Sequence, residues 1–190
     1  MAVQPRAILF WLLFGSAVSS AGALGWFFAK QSSTPLPSGG PAVSYRAPVL
    51  EKREVALYFG DGVGRFLSAE QRVLDQPADA AAAARQLVEA LIAGPVQAGT
   101  RTLPGDAGLR ALFVTPEGVA YVDFNADAFD HHPGGIETEL LSIYSIVNTL
   151  VLNLDGIRQV KILMGGQEAV TLAGHVDLSR PFQADMLWVR

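Results

Sequence analysis

Acidic and amide side chains alternate after a predicted strand, in the spacing Asp123-x-Asn125-x-Asp127. The first calcium ligands of an EF-hand loop have this spacing. Such a loop also needs Gly at its sixth position and Glu at its twelfth, where this chain has Ala128 and Gly134. We therefore predict no calcium site here, and interpret the segment as a loop whose short side chains bind nearby backbone.

Two adjacent histidines, His131 and His132, follow Asp127 and Asp130 and could in principle hold zinc or copper. Neighbouring side chains in an extended segment point apart, and the sequence His-Pro-Gly-Gly favours a turn. We predict a structural loop and no metal centre. His175, which follows a glycine, is expected to be a hydrogen-bonded structural residue.

Three glycines in the spacing Gly60-x-Gly62-x-Gly64 follow the first predicted strand, as in some phosphate-binding loops. No helix pattern begins directly after them and no Gly-Lys-Ser/Thr follows, so we predict a turn without a nucleotide. The sequence also lacks Gly-x-Ser-x-Gly, Ser-x-x-Lys and cysteine, which are common sources of a nucleophile. Its 18 acidic residues allow many carboxylate pairs, and no pattern selects two of them. We predict that the protein is not an enzyme and has no cofactor.

A long predicted helix has a polar stripe of small side chains at helical spacing, namely Thr138, Ser142, Ser145, Thr149 and Asn153. This stripe lies opposite the apolar stripe of the same helix, and a solvent-exposed face would ordinarily have charged residues instead. Two interpretations stay open. The stripe could pack closely against the other predicted helix, or it could be a surface for a partner protein, because interface cores are depleted in charge.

The elements that must position these residues follow from apolar periodicity and turn signals. We predict strands at 54–59, 109–114, 119–124, 159–164 and 168–172, and helices from Asp79 to Gly94 and from about Gly135 to Leu154. The order β-α-β-β-α-β-β mixes hairpins with crossovers. It predicts an α/β (α+β) domain with a mixed sheet of about five strands and two helices packed on one face.

Residues 7–29 form an uncharged, mostly apolar run between Arg6 and Lys30. A helix that crosses a bilayer needs about 20 such residues, so we predict a transmembrane signal-anchor. Aromatic residues at 26–28 suit the outer interface of a membrane. The alternative is a cleaved signal peptide with its cleavage site at 21–23. A lipid-modified protein is excluded because the chain has no cysteine.

This anchor organises the rest of the chain. Residues 1–6 are predicted to be a cytoplasmic stub, 30–50 a linker rich in Pro, Gly and Ser, and 51–190 an extracytoplasmic domain. The expected location is the inner membrane, single-pass, with the C-terminal domain in the periplasm. The formal net charge of −4 makes nucleic acid an unsuitable partner.

Several segments together resemble the GerMN domain of sporulation and spore-germination proteins. They are VALYF at 55–59, LVEALIAGP at 87–95, AYVDF at 120–124, SIVNTL at 145–150, VKIL at 160–163 and Gly174-His175. The resemblance implies an α/β domain akin to ring-building modules of envelope assemblies, located outside the cytoplasm. It implies no enzymatic activity and therefore no catalytic residues. The turn at 62–65 departs from the family pattern because it has so few side chains.

Taken together, these features predict a membrane-anchored, non-catalytic envelope protein that binds another envelope protein or itself. One alternative is a cell-wall enzyme with an unrecognised carboxylate pair. The other is a glycan- or solute-binding module, for which Tyr121, Phe124 and Phe129 are the clustered aromatic candidates.

Overall fold

The computed structural model describes residues 51–190. Their elements, in chain order, are β1 Lys52–Gly60, β2 Leu67–Asp75, α1 Ala80–Ala93, β3 Leu109–Val114, β4 Val119–Phe124, α2 Ile136–Asn153, β5 Gln159–Met164, β6 Gln167–Glu168 and a 3-10 turn Met186–Trp188. Within the described residues, both predicted helices and every predicted strand before residue 165 are present, with ends within about two residues of the prediction.

The strands form two sheets. β1 and β2 make an antiparallel hairpin, and the second sheet has the order β3-β4-β5-β6. Within the second sheet β4 and β5 are parallel while the other pairs are antiparallel, so the predicted mixed sheet is confirmed. The prediction of one sheet with five strands is wrong, because the described residues contain six strands in two sheets.

Strand β2 has no counterpart in the predicted elements. Its apolar alternation is broken by Glu70, which is buried although it is charged. The carboxylate of Glu70 accepts hydrogen bonds from the backbone N–H groups of Val96 and Gln97, which compensate its burial. The glycine-rich segment after β1 is therefore the loop of a hairpin, and no helix follows it.

The ends of both helices agree with the sequence signals. The carboxylate of Asp79 accepts a hydrogen bond from the N–H of Ala82 and caps α1. Gly94 ends α1 with φ of 91°, a conformation that favours glycine. Helix α2 occupies the predicted range less one residue at each end.

Strand β6 is shorter than predicted. Gly165 and Gly166 form the expected turn with φ of 61° and 81°, but only two residues then pair with β5. The following residues leave the sheet because the backbone N–H groups of Leu172 and Ala173 bind the buried carboxylate of Glu139 instead.

A C-terminal segment, residues 181–190, connects the two sheets. Phe182 pairs through both backbone groups with Val160 on β5, and the N–H of Arg190 donates to the carbonyl of Leu67 on β2. Between these two points the ring of Trp188 stacks on Tyr144 of α2, with ring centroids 5.8 Å apart. The segment therefore covers one side of α2.

The predicted anchor, stub and linker lie outside the described residues. Within residues 51–190, no helix combines the length and the apolar composition that a membrane crossing requires.

Candidate functional site

The polar stripe of α2 is buried inside the domain. Ser142, Ser145 and Thr149 are fully buried and Asn153 is 5% exposed, while Thr138 at the start of the helix is half-buried. The expectation that these residues form a face opposite the core is wrong, because α2 is enclosed on both sides along its central turns.

The stripe contacts the edge of β1 that β2 leaves open. Asn153 accepts from the N–H of Ala56 at 2.9 Å and donates to its carbonyl at 2.8 Å. The N–H of Tyr58 donates to the hydroxyl of Thr149, and the carbonyl of Tyr58 accepts from the hydroxyl of Ser145. Gly60 completes the edge through two backbone hydrogen bonds with Thr100. Helix side chains therefore replace a neighbouring strand.

This arrangement follows from the repeat distances of a helix and a strand. Four residues of a helix rise about 6.0 Å, and two residues of a strand rise about 6.6 Å. Polar side chains four residues apart on α2 can therefore reach backbone groups two residues apart on β1. Short side chains are required because the two backbones approach closely. The predicted alternative, in which the polar stripe packs against the other helix, is also incorrect, because the stripe forms its hydrogen bonds with strand β1.

A second asparagine acts in the same way on the opposite side of α2. Asn148 donates to the carbonyl of Asp185 at 3.0 Å and accepts from its N–H at 2.9 Å. The C-terminal segment is thus held on the helix by an amide that imitates a strand partner. Both asparagines are within the helix that the sequence predicted, but neither role was predicted.

A cleft of about 240 Å³ lies beside the N-terminal end of α2. It is lined by residues 101–105, by His131, His132 and Pro133, and by Thr138. Pockets for small organic ligands are usually about 300–1,000 Å³. The guanidinium of Arg101 is already bonded to the carbonyls of Ile92 and Ala93 at the end of α1.

The half-buried imidazole of His132 connects this cleft with the polar stripe. The N–H of Gly134 donates to Nδ1 of His132, so the neutral ring has its proton on Nε2, 2.9 Å from the hydroxyl of Ser142. The hydroxyl of Ser142 donates in turn to the carbonyl of Thr102. A serine nucleophile needs a base that accepts its proton, whereas here the imidazole donates to the serine.

Burial also affects the protonation of this histidine. Desolvation lowers the pKa of His132 below its ordinary value, and the charge of Glu139 opposes this only partly. The neutral ring is therefore the form that the folded structure favours.

The remaining residues proposed for metal chemistry lie apart. His131 is exposed and faces Asp106 at 3.6 Å, and Asp127 is exposed. No group of three metal-ligating side chains occurs within residues 51–190. Asp123, the first residue of the calcium-like spacing, is buried in β4.

The carboxylate of Asp123 fixes a turn. It accepts from the N–H of Gly166 at 2.8 Å and forms an ion pair with Arg110. Arg110 can reach it because a bulge between Leu109 and Ala111 inserts one extra residue into β3. The pair joins β3, β4 and the turn before β6.

Glu139 is the most enclosed acidic side chain of the described residues, with no exposed surface. Its carboxylate accepts from four backbone N–H groups, those of Leu172, Ala173, His175 and Val176. Burial alone would raise the pKa of Glu139, but these four donors hold it below its ordinary value. The imidazole Nδ1 of His175 lies 3.3 Å away, so the structural role predicted for this histidine is confirmed.

The three aromatic candidates for glycan binding do not form one surface. Phe124 and Phe129 pack edge-to-face in the core, with centroids 5.2 Å apart. Tyr121 lies on the other face of the sheet, where its ring stacks on Phe113 at 4.7 Å. These three residues therefore do not form the aromatic-lined cleft that the alternative of a glycan- or solute-binding module requires.

Comparison with known proteins now assigns the family. Residues 56–170 match the model of the Germane family, described as "Sporulation and spore germination". The chain belongs to the Germane family. The matched residues contain most of β1, both helices and β6, so the GerMN-type domain expected from the sequence is confirmed. A comparison with curated proteins finds no match.

Solved structures share this fold at low sequence identity. The tandem GerMN domains of the sporulation protein GerM from Bacillus subtilis align with a TM-score of 0.58 at 21% identity, covering 70% of this chain and 46% of theirs. The first of those domains alone gives 0.51 at 21%, covering 70% and 96%. A presumptive lipoprotein from Clostridium perfringens gives 0.51 at 24%, covering 70% and 87%. The aligned part of this chain therefore has the fold of a single GerMN domain.

Three buried charged residues, Glu70, Glu139 and Lys161, were not singled out in the sequence. Glu139 falls at a position where the helix pattern allows either face, and Lys161 lies in the middle of the apolar strand β5. The ammonium group of Lys161 donates to the carbonyls of Leu178 and Ser179 at 2.9 and 2.7 Å. A lone charge inside an apolar strand is the signal that could have identified Lys161.

Proposed function

We propose that this Germane-family protein is a non-catalytic component of the cell envelope, held at the membrane by residues 7–29, whose folded domain assembles with itself or with another envelope protein. The proposal rests on the family match and on the state of the polar side chains inside the domain.

Those polar groups have structural partners already. Within residues 51–190, no buried side-chain nitrogen or oxygen lacks a hydrogen-bond partner. Active sites usually keep acids, bases or nucleophiles available to a substrate. Here Glu70, Asp123 and Glu139 each hold a loop or a turn in place, and Ser142 donates to a backbone carbonyl.

The alternative of a cell-wall hydrolase with two carboxylates receives no support from the titration of these groups. A general acid for glycoside hydrolysis needs a raised pKa. Burial would raise the pKa of both carboxyls, but backbone N–H donors at Glu139, and backbone N–H donors together with the Arg72 guanidinium at Glu70, outweigh burial and lower the pKa of each. Each therefore stays ionised and bound to backbone.

The envelope location is supported by the apolar run at 7–29 and by the likeness to a chain described as a lipoprotein. A fusion of a reporter that is active only outside the cytoplasm, placed after Arg190, should be active. The protein should stay in the membrane fraction after a carbonate wash. A soluble product that begins near Leu24 would contradict the anchor.

Assembly is tested on the full chain extracted from membranes in detergent. Sedimentation velocity should give a protein mass above that of one chain, through self-association or a co-extracted partner. A single chain with no partner, across a tenfold range of concentration, would contradict the proposed function.

A further inference from the structure

The turn before α2 is held by the side chain of one histidine. Nδ1 of His132 accepts a hydrogen bond from the N–H of Gly134 at 3.1 Å, and Nε2 lies 2.9 Å from the hydroxyl of Ser142 on α2. Both ring nitrogens of this half-buried imidazole therefore have a partner. Among residues 133–135, the N–H of Gly134 is the one backbone donor with a hydrogen bond inside the described part of the chain.

Little else fixes this turn. Gly134 and Gly135 have φ of 75° and 89°, and α2 begins after Gly135 without a side-chain cap. A Cβ atom added at Gly134 would meet no atom within 4 Å beyond its chain neighbours, so the turn has free space on that side. The turn can therefore move away from α2 without displacing other parts of the domain.

The same turn closes the cleft beside the N-terminal end of α2. His132 and Pro133 line one part of the cleft, and residues 101–105 line another. Leu103, which belongs to that second part, is only 2% exposed. With the turn in place, the cleft of about 240 Å³ is smaller than a usual pocket for a small organic ligand.

Protonation of the histidine breaks the bond that holds the turn. The neutral ring has its proton on Nε2, so Nδ1 is the atom that takes up a second proton. Once protonated, Nδ1 is a donor and faces the N–H of Gly134, which is also a donor. The hydrogen bond is lost, and a charge is placed in a half-buried position that water solvates poorly.

We propose that residues 132–135 are a pH-sensitive latch, in which protonation of His132 at Nδ1 releases the turn from α2 and opens the cleft. The latch is a property of the folded domain and does not depend on the proposed assembly. Histidine is the side chain that ordinarily changes its charge between about pH 5 and pH 8, so the latch responds near neutral pH.

The charged groups around the ring leave this response intact. Burial lowers the pKa of His132 while the turn is closed, and the charge of Glu139 on α2 opposes this only partly. The guanidinium of Arg101, which lines the same cleft, is bonded to carbonyls at the end of α1, and the exposed His131 pairs with Asp106. Opening exposes His132 to water and restores its ordinary pKa of about 6.5. Opening therefore takes up a proton below that pH and becomes more favourable as the pH falls.

Hydrogen exchange of the full chain in detergent tests the latch. Between about pH 7.5 and pH 5.5, the protection of a peptide that covers residues 130–136 should fall severalfold after correction for the intrinsic exchange rate. A peptide from α1 should keep its protection. In His132→Gln the fall should be absent, whereas the matched control His131→Gln, at the exposed neighbouring histidine, should behave like the parent.

Opening of the cleft is tested with an introduced cysteine, because the sequence has none. Leu103→Cys places a thiol in the cleft, and Leu91→Cys is the matched control at a buried position of α1. Labelling by a thiol reagent, normalised to the same chain in urea, should become severalfold faster at position 103 over the same pH range. It should stay unchanged at position 91.

Constant protection of the turn in the parent would overturn the latch, and so would an equal fall in His132→Gln. A loss of protection that is equal in the turn and in α1 would indicate unfolding of the whole domain and would also overturn it. The same holds if the turn is released but position 103 is labelled no faster. If His132→Gln does not fold, a fall confined to the turn in both the parent and His131→Gln still supports the latch.

Discussion

The side-chain amide of Asn153 forms both hydrogen bonds of a strand partner with the backbone of Ala56, at 2.9 and 2.8 Å. This contact joins the end of α2 to β1 across 97 residues of sequence. It belongs to the set of helix side chains that close the edge of β1, so the long helix is fixed to the hairpin by directed contacts as well as by apolar packing.

Replacing Asn153 with Leu should destabilise the domain strongly. Leucine has a similar volume but leaves the N–H and the carbonyl of Ala56 without these partners, and each buried unpaired group costs about 1–3 kcal/mol. We expect the free energy of unfolding of residues 51–190 to fall by about 2–4 kcal/mol, measured by urea denaturation. Leu152→Gln, at a neighbouring position that is 44% exposed, is the control and should change it by less than about 1 kcal/mol. Equal losses would contradict the edge-closing role.

Thr149→Asp and Val147→Asp should both prevent folding of the fragment 51–190. Val147 and Thr149 are fully buried on different sides of α2, so each change places a charge in the interior. Far-UV circular dichroism and urea denaturation of both variants check this. If Thr149→Asp folds like the parent while Val147→Asp does not, the burial of the polar stripe described above is incorrect.

The helices and most strands could be predicted because local signals determine them. Asp79 and Gly94 mark the ends of α1, and apolar spacing marks α2. The face of α2 could not be predicted in the same way. Small polar residues such as Ser145 and Thr149 are compatible with a solvent face, an interface or a buried contact with backbone. Only the contact with β1, which is far away in the sequence, distinguishes these three possibilities.

The missed strand β2 has a related cause. A charged residue such as Glu70 is typical of a surface position, so its burial is not evident from the sequence, and its partners Val96 and Gln97 come 26 and 27 residues later.

The roles of the candidate site residues also depend on contacts that are distant in the sequence. The calcium-like spacing from Asp123 and the paired histidines are local patterns, whereas the bonds to Gly166 and Ser142 that occupy Asp123 and His132 depend on the fold.

The domain should become less stable in acid because the stabilising contribution of the Glu139 carboxylate is lost when it is protonated. Its folded pKa lies below the ordinary value of about 4.5, so its contribution is complete above that pH and is lost as the pH falls through the folded pKa. In Glu139→Gln the free energy of unfolding should be lower at pH 7 and should fall less steeply between about pH 4.5 and pH 3. Glu137→Gln, on an exposed face of the same helix, should follow the parent. The measurement is urea denaturation at each pH.

His132 should make the free energy of unfolding depend on pH in a higher pH range than Glu139 does. Burial lowers the folded pKa of its imidazole, so the unfolded chain takes up a proton first as the pH falls below about 6.5. The stability from the neutral ring is therefore present above that pH and is lost as the pH falls towards the folded pKa. His132→Gln should reduce the dependence of the unfolding free energy on pH between about 7 and 5.5. A slope identical to that of the parent would show that His132 does not contribute.

The C-terminal segment should be required for stability although it lies beyond the residues that match the family. Trp188 stacks on Tyr144, and Asp185 is bonded at both backbone groups to Asn148, so removal exposes an aromatic face and leaves a buried amide without partners. Trp188→Ala should lower the free energy of unfolding by about 2–4 kcal/mol, and deletion of residues 183–190 by more. Leu187→Ala is the matched control, because Leu187 is 84% exposed beside Trp188, and it should change stability by less than about 0.5 kcal/mol. The measurement is thermal and urea denaturation of the three variants. A truncated domain as stable as the parent would show that the C-terminal segment does not stabilise the domain.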